Sequence, residues 1–471
     1  MRLLRFILSL AVLSSIPYPS YAKSQIVLKD LGILDAASGT VRYEMLYNTH
    51  KQAIAEGKTV SYSGIDTLFL EIPKNAKSIE LRGSADFDNV VFKVTNNAKD
   101  LSLFTLSGQH SPIRVSKSEI DEGRFHETEL KRGAWVLIIK DEKPWCERIG
   151  YNYSAYRKDA ILIKRGRAKN TTCSPYNNDQ SNPSCEYFMA GKNRTIVKNL
   201  YLVRDENCSK KTSLIKVSYQ NNVLLENLSI ATPESTLFGD GAIWIENCVD
   251  VCVNNISIDG TYSLSNQYGY GICLENVTGF VGSNIVGKAK WGVFGNNNVN
   301  TPTLVNCDIN RFDIHCYGKD VSIKDCIIRD LYNQFSCVFG TIVYKRCHFI
   351  NATPYVDGGS YNTNVKNKFV MSDCIFDASP SNNSIINILH VRSELNGRNA
   401  LSDKYLPDVE IRNLMVNTSA GIKDVYLYKI GALDYKGELA GGESSLKEIK
   451  FNGKSNAELK QSNRQLKIKS K

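Results

Sequence analysis

A short phrase recurs along the second half of the chain: a polar residue, an apolar one, any residue, then an apolar one. It reads Asn199-Leu200-Tyr201-Leu202, Asn227-Leu228-Ser229-Ile230 and Asn255-Ile256-Ser257-Ile258, then Asn284-Ile285, Asn306-Cys307-Asp308-Ile309 and Asp325-Cys326-Ile327-Ile328. Later copies are Arg346-Cys347-His348-Phe349, Asp373-Cys374-Ile375-Phe376 and Asn413-Leu414-Met415-Val416, and successive copies lie 19 to 40 residues apart. Other short alternations precede them, such as Val223-Leu224-Leu225 and Ile243-Trp244-Ile245. Alternation over four to six residues is a strand pattern, without the 3.6-residue period of a helical hairpin. About three short strands per turn of roughly 20–30 residues define a solenoid. The spacing therefore predicts an all-β, right-handed parallel β-helix. A propeller needs longer, more regular repeats, and a jelly roll has no such repeat.

One coil cannot bury its apolar face alone. Stacking lets Leu200, Leu228, Ile256, Ile285, Cys307, Cys326, Cys347, Cys374 and Leu414 line one interior column. Cys serves there as a small hydrophobe. The Asn before it tolerates a left-handed bend, and stacked Asn side chains can hydrogen-bond between coils.

The organisation follows from where this rhythm starts and stops. Residues 1–22 have basic Arg2 and Arg5, an apolar run from Phe6 to Val12 and small residues at Ser20 and Ala22, which predicts a signal peptide cleaved after Ala22 and a secreted or periplasmic protein. Residues 23–116 are expected to form an N-terminal cap, with a helix from Tyr43 to Glu56 stopped by Gly57, and the first coils. Residues 117–190 break the rhythm and are read as an inserted β-rich segment, in which Trp145, Tyr151, Tyr153 and Tyr156 pack or touch ligand. Residues 191–440 hold the main coils, and the Lys-rich residues 441–471 are expected to be a cap or a disordered tail.

A chain of 471 residues, 42% hydrophobic, can bury a large core, and no segment after the first is long and apolar enough to span a membrane. The net charge of +10 suits an anionic partner such as an acidic glycan, and no nucleic-acid-binding motif is present. Of 13 cysteines, several occupy the repeated interior position; Cys146, Cys173, Cys185 and Cys208 lie in a looped polar region and are candidates for disulfides. No zinc spacing is present, no cofactor is implied, and calcium between carboxylates has no supporting motif.

Outward positions on the first strand of each coil are predicted to be Trp244 and Glu246, Cys273 and Glu275, Phe294 and Asn296, then Asp313 and His315. Coils about 4.8 Å apart would align them in one strip. Loops carrying Asp240, Tyr268, Tyr270, Lys288, Lys290, Trp291 and Arg311 would wall it. The densest cluster is Arg311-Phe312-Asp313-Ile314-His315, whose Arg, Asp and His share one alternation. Asp313 would fix the His315 tautomer and raise its pKa, and Arg311 would bind a carboxylate or sulfate. For β-elimination on a uronic acid, His315, Lys290 or a Tyr is the candidate base and Arg311 the neutraliser. For glycoside hydrolysis the carboxylates are Asp313, Glu246, Glu275 and Asp240. Trp244, Tyr268, Tyr270 and Trp291 could stack on sugars, with Asn296, Glu275 and Asp240 as further substrate contacts. The competing readings are a surface ion cluster that satisfies itself and aromatics that merely pack.

The stretch from Gly239 to Asp377 resembles exported bacterial pectate-lyase-like β-helix proteins. The likeness lies in Trp291-Gly292-Val293-Phe294-Gly295-Asn296, Arg311-Phe312-Asp313-Ile314-His315 and Val321-Ser322-Ile323-Lys324-Asp325-Cys326. It resembles an uncharacterised subgroup sharing WGxFGxN and RFDxH phrases, and implies a pectin-lyase-like solenoid and a polysaccharide partner more than a reaction. Asp30-Leu31-Gly32-Ile33-Leu34-Asp35 resembles the opening of such chains but lacks their Gly-Asp-Gly-x-x-Asp-Asp. No polygalacturonase-type Gly-His-Gly or pectate-lyase calcium signature is present, so neither mechanism transfers. Two functions follow as expectations: a polysaccharide-processing enzyme, lyase ahead of hydrolase, or a noncatalytic glycan-binding or surface scaffold protein.

Overall fold

A computed structural model describes residues 24–97, 101–148, 154–176, 181–205, 212–231, 242–259, 270–288, 291–330, 332–357, 361, 365–379, 385–392, 405–422, 424–430, 440–441, 444–453 and 458–462. The expected signal peptide lies outside them. Successive coils stack as parallel strands into one sheet of 28 strands, and the architecture is an all-β right-handed parallel β-helix.

The repeated phrase marks one corner of the spiral. Asn199, Asn227, Asn255, Asn284, Asn306, Asp325, Arg346, Asp373 and Asn413 all adopt left-handed φ between 49° and 60°. That conformation costs most L-residues roughly 1–2 kcal/mol, and Asn least. The corners also bond to one another: Asn227 Nδ2 donates to Asn199 Oδ1 at 2.7 Å and Asn306 Nδ2 to Asn284 Oδ1 at 2.6 Å. Where Asn gives way to charge, Arg346 donates to both Asp325 carboxylate oxygens at 2.6 Å.

Directly after the corner, Leu200 pairs with Leu228, Leu228 with Ile256 and Ile256 with Ile285. Cys307, Cys326, Cys347 and Cys374 continue this buried column to Leu414. Each thiol has a weak partner, as where Cys326 Sγ donates to Lys324 O at 3.1 Å. The Ser444–Gly453 strand adds a further coil, placing Leu446, Ile449 and Phe451 against the core. Within the segment expected to be a cap or disordered tail, Lys447 and Lys450 alternate with those apolar residues and lie on the solvent face of this strand.

Helix α1 (Gly39–Glu56) closes the first coils. Ser38 caps it by accepting from Val41 N, and Gly57 ends it at φ 64°. Tyr43, Leu46, His50 and Ala53 recur on one face, which is the buried one.

Between the first coils and the rest, the chain builds a five-stranded antiparallel sheet. Ala134–Asp141 lies at its centre, flanked by Lys158–Lys164 and Pro183–Met189, with Arg167–Ala168 and Ser111–Ile113 at the edges. Period-two alternation gives it two apolar faces. Leu137 and Ile139 pack under the Lys117–Glu122 and Thr128–Lys131 helices, while Val136 and Ile138 share a cluster with solenoid residue Val249. Solenoid side chains then capture the backbone of the Lys158–Lys164 strand and its flanks. Thr278 Oγ1 donates to Ala160 O at 2.8 Å, Asn298 Nδ2 to Tyr156 O at 3.1 Å, and Asn300 Nδ2 to Thr171 O at 2.7 Å. Tyr317 Oη accepts from Lys158 N and donates to buried Asp159, which also accepts from Tyr176 Oη.

Candidate functional site

The strip runs through Trp244 and Glu246, Cys273 and Glu275, and Asp313 and His315 in the expected phase, and departs from it by one residue in the coil between, at Phe294 and Asn296. Trp244 pairs with Cys273, Cys273 with Gly295 and Gly295 with Asp313; Glu246, Glu275 and Asn297 follow one another, and His315 comes next. Phe294 pairs with Phe312 and Asn296 with Ile314, so both point inward. This corrects the assignment of Asn296 to substrate binding: its buried Nδ2 donates to Asp313 O at 2.6 Å. A shift of one residue exchanges the two faces of a strand, and with Val293 and Phe294 both buried the local alternation does not set which of them begins the inward face.

Arg311 and Asp313 leave the core side but do not reach solvent, at 1% and 0% exposure. They form an ion pair through Arg311 Nη2 and Asp313 Oδ2. The guanidinium lies between two rings, 4.8 Å from Trp291 and 4.3 Å from Tyr332, and donates to Trp291 O at 2.9 Å. Asp313 Oδ1 accepts from Gln334 N at 2.8 Å. Arg311 is therefore already committed, contrary to its expected role as a substrate-carboxylate clamp, and Trp291 stacks on it. The two glycines of the WGxFG phrase make room for this. A Cβ on Gly292 (φ 145°) would lie 2.6 Å from Arg311 Cβ, and one on Gly295 would intrude into the Tyr270 ring.

Outside this sealed pair opens a cleft of about 190 Å³, lined by Trp244, Tyr270, Cys273, Glu275, Gly295, Asn297 and His315 from the coils, with Arg148 from the inserted segment and Tyr361. Tyr270 Oη is 2.6 Å from His315 Nε2 and donates to Asp313 Oδ2 at 3.4 Å. The His315–Asp313 approach is 3.9 Å, so the phenol stands between them. Glu246 accepts from Trp244 Nε1 and pairs with Lys216 at 2.9 Å. Glu275 pairs with Lys158 of the inserted sheet.

Burial lowers the His315 pKa to about 3, helped by the charges of Arg311 and Arg148, where the sequence predicted a rise from Asp313. Burial pushes the Tyr270 phenol far upward and the Asp313 carboxyl up to about 6, the latter against the pull of Arg311. His50 of α1, buried 2.6 Å from Tyr62 Oη, is held down to about 4. Below about 6.5 the unfolded chain protonates these two imidazoles while the folded chain does not, so stability falls with pH. Each imidazole contributes up to about 1.4 kcal/mol per pH unit. Asp313 gains its proton first in the folded state and offsets one of them between about 6 and 4. Denaturant unfolding at stepped pH is expected to show declining stability from pH 6.5 downward; a flat profile would contradict the burial of both histidines.

Of the remaining expected site residues, Lys290, Tyr268 and Asp240 lie outside the described residues. Arg148, Lys158, Asn297 and Tyr361 had no signal at their positions, since only the docking of the inserted sheet brings its basic residues here. Cys146, Cys173 and Cys185 are free thiols and buried, and Cys208 lies outside the described residues. Among the described residues no group of three or more His, Cys, Asp or Glu is placed to hold a metal ion, and no helix is long and apolar enough to cross a membrane.

No protein-family model matches the chain, and no curated protein matches it. Solved structures do. The chain is similar to the tailspike of Pseudomonas phage phi297, at 11% identity over 91% of this chain and 80% of that one, with a TM-score of 0.51. It is similar to the tailspike of Acinetobacter baumannii bacteriophage AP22, solved with capsular saccharide, at 12% identity over 92% and 76%, TM-score 0.52. The tailspike of Pseudomonas phage LKA1 matches at 12% identity over 92% and 84%, TM-score 0.52. These likenesses define the class by fold: a pectin-lyase-like parallel β-helix.

Proposed function

We propose that the chain is an exported polysaccharide-processing enzyme, with residues 1–22 as its cleaved signal, and that it cleaves an acidic glycan by β-elimination. The observation that carries this reading is the His315–Tyr270 pair, 2.6 Å apart, on a cleft that Arg148 also lines. His315 is neutral at physiological pH, so a ring nitrogen can accept a proton, and the carboxylate of a bound uronate would raise its proton affinity from the low value that burial sets. His315 takes the proton from C5 of a uronate. The electron pair left by the C5–H bond forms the C4=C5 double bond, the C4–O bond breaks with its own pair on oxygen, and the Tyr270 phenol protonates that leaving oxygen. Arg148 takes the neutralising role once expected of Arg311.

Hydrolysis has less support. Asp313 is sealed from the cleft, and Glu246 and Glu275 are paired with Lys216 and Lys158. Two carboxylates free to flank one glycosidic bond are what hydrolysis needs. The glycan partner draws further support from the saccharide-bound tailspike of the same fold. The WGxFGxN and RFDxH phrases place the chain, in this reading, in an uncharacterised exported subgroup of these solenoids.

A second reading, a noncatalytic glycan-binding or surface scaffold protein, is favoured by the pairing of Glu246, Glu275 and Asp313 with basic residues of the chain itself. Purified protein screened against acidic and neutral polysaccharides separates the readings. Ultraviolet-absorbing unsaturated products are expected. Reducing ends without that absorbance would indicate hydrolysis instead, and retention of a glycan without products would indicate binding alone.

A further inference from the structure

We propose that Cys146 and Cys316 form a disulfide that joins the two walls of the cleft. Cys146 lies in the inserted segment, two residues before Arg148, and Cys316 directly follows His315 in the solenoid. Their sulfurs are 3.7 Å apart, in van der Waals contact, and both residues are buried. Cys337 of the next coil also meets Cys146, and the buried cluster around these three sulfurs holds a fourth cysteine, Cys173, with Trp145, Tyr317, Phe339 and Tyr361.

The column cysteines show what a packing thiol looks like in this protein. Cys307, Cys326, Cys347 and Cys374 each direct sulfur at a backbone carbonyl two residues earlier, so each has a partner within its own coil. Cys307 also meets Cys326, and Cys347 meets Cys374, thiol to thiol between neighbouring coils; the Cys146–Cys316 contact differs in joining the inserted segment to the solenoid rather than one coil to the next. Thiol hydrogen bonds from Cys316 and Cys337 pull the Cys146 pKa down, which favours Cys146 as the attacking thiolate. The two contacting thiols lie 170 residues apart in sequence, so they meet only once the inserted sheet has docked.

The oxidant is a small-molecule disulfide such as oxidised glutathione. The Cys146 thiolate attacks it and releases one thiol. Cys316 then displaces the second, so that two protons and two electrons leave the protein and two thiols are released. The finished bond closes a loop of about 170 residues and raises the thermal midpoint by restricting the unfolded chain. It also fixes Arg148 beside His315. That last consequence rests on the function proposed above; the bond itself does not.

The test refolds the full chain in a mixture of oxidised and reduced glutathione, alkylates remaining thiols under denaturing conditions and maps peptides without reduction. A linked Cys146–Cys316 peptide is expected, with a thermal midpoint several degrees higher than that of the reduced protein. The linked peptide persists in Cys337→Ser, and reduction no longer shifts the midpoint in Cys146→Ser. Recovery of both cysteines alkylated, or a Cys316–Cys337 or Cys146–Cys337 peptide in place of the expected one, would overturn the proposal. Peptide mapping does not read turnover: a linked peptide in a protein inactive on every glycan would sink the lyase reading and leave the disulfide standing.

Discussion

Turnover of an acidic polysaccharide is expected to fall by about 10²–10⁴-fold in His315→Ala and in Tyr270→Phe, with folding intact in both. Tyr270→Phe keeps the ring that packs over Gly295 and removes only the hydroxyl between His315 and Asp313. His315 lies on the cleft at 17% side-chain exposure, so its loss opens no void in the core. The pH profile distinguishes catalysis from packing. A base must be neutral, and burial, with the charges of Arg311 and Arg148, holds His315 near 3. Activity should therefore stay level through the range where an ordinary histidine titrates and collapse only as pH approaches 3. An inflection near 6.5, or wild-type turnover in either variant, would remove the pair from the mechanism.

Asp313→Ala is expected to act on the fold, at a cost of about 3–5 kcal/mol, because it strands the Arg311 guanidinium without its counter-charge. Arg311 is 1% exposed and enclosed by Trp291 and Tyr332, so water cannot take the place of the carboxylate. Asp313→Asn should cost less, since its amide oxygen can still accept from Gln334 N. Glu246→Gln sets the scale: its partner Lys216 is half-exposed, and such pairs are worth at most about 1 kcal/mol. Urea denaturation of the three variants orders them. Equal midpoints for Asp313→Ala and Glu246→Gln would show that the buried pair is not the strut described here.

The solenoid was legible because its determinants are local and repeated. Leu228 and Ile256 each stand one residue after an Asn that has to bend left-handed, and the same pair of constraints recurs until Leu414. The strip was half legible. Glu246 and Glu275 align as read, but at Phe294 and Asn296 two consecutive apolar residues, Val293 and Phe294, are both buried, and alternation alone gives no phase there. Chemistry at Arg311 was misjudged for a different reason. A charged side chain reads as solvent-facing until something covers it, and Trp291 and Tyr332, which cover it, are 20 and 21 residues away along the chain. Arg148 and Lys158 reach the cleft from more than a hundred residues away, through a sheet whose docking depends on side chains such as Asn298 and Tyr317 that resemble ordinary coil residues.

That docked sheet has a mechanical meaning. A spiral whose layers touch only their neighbours can fray one layer at a time. Here a single strand and the residue two before it are tied to Thr278, Asn298 and Tyr317, which belong to three successive layers, and the strand's own Lys158 to Glu275. Like a splint across vertebrae, it makes those layers open together or not at all, and the cleft sits on the length of spine that is braced.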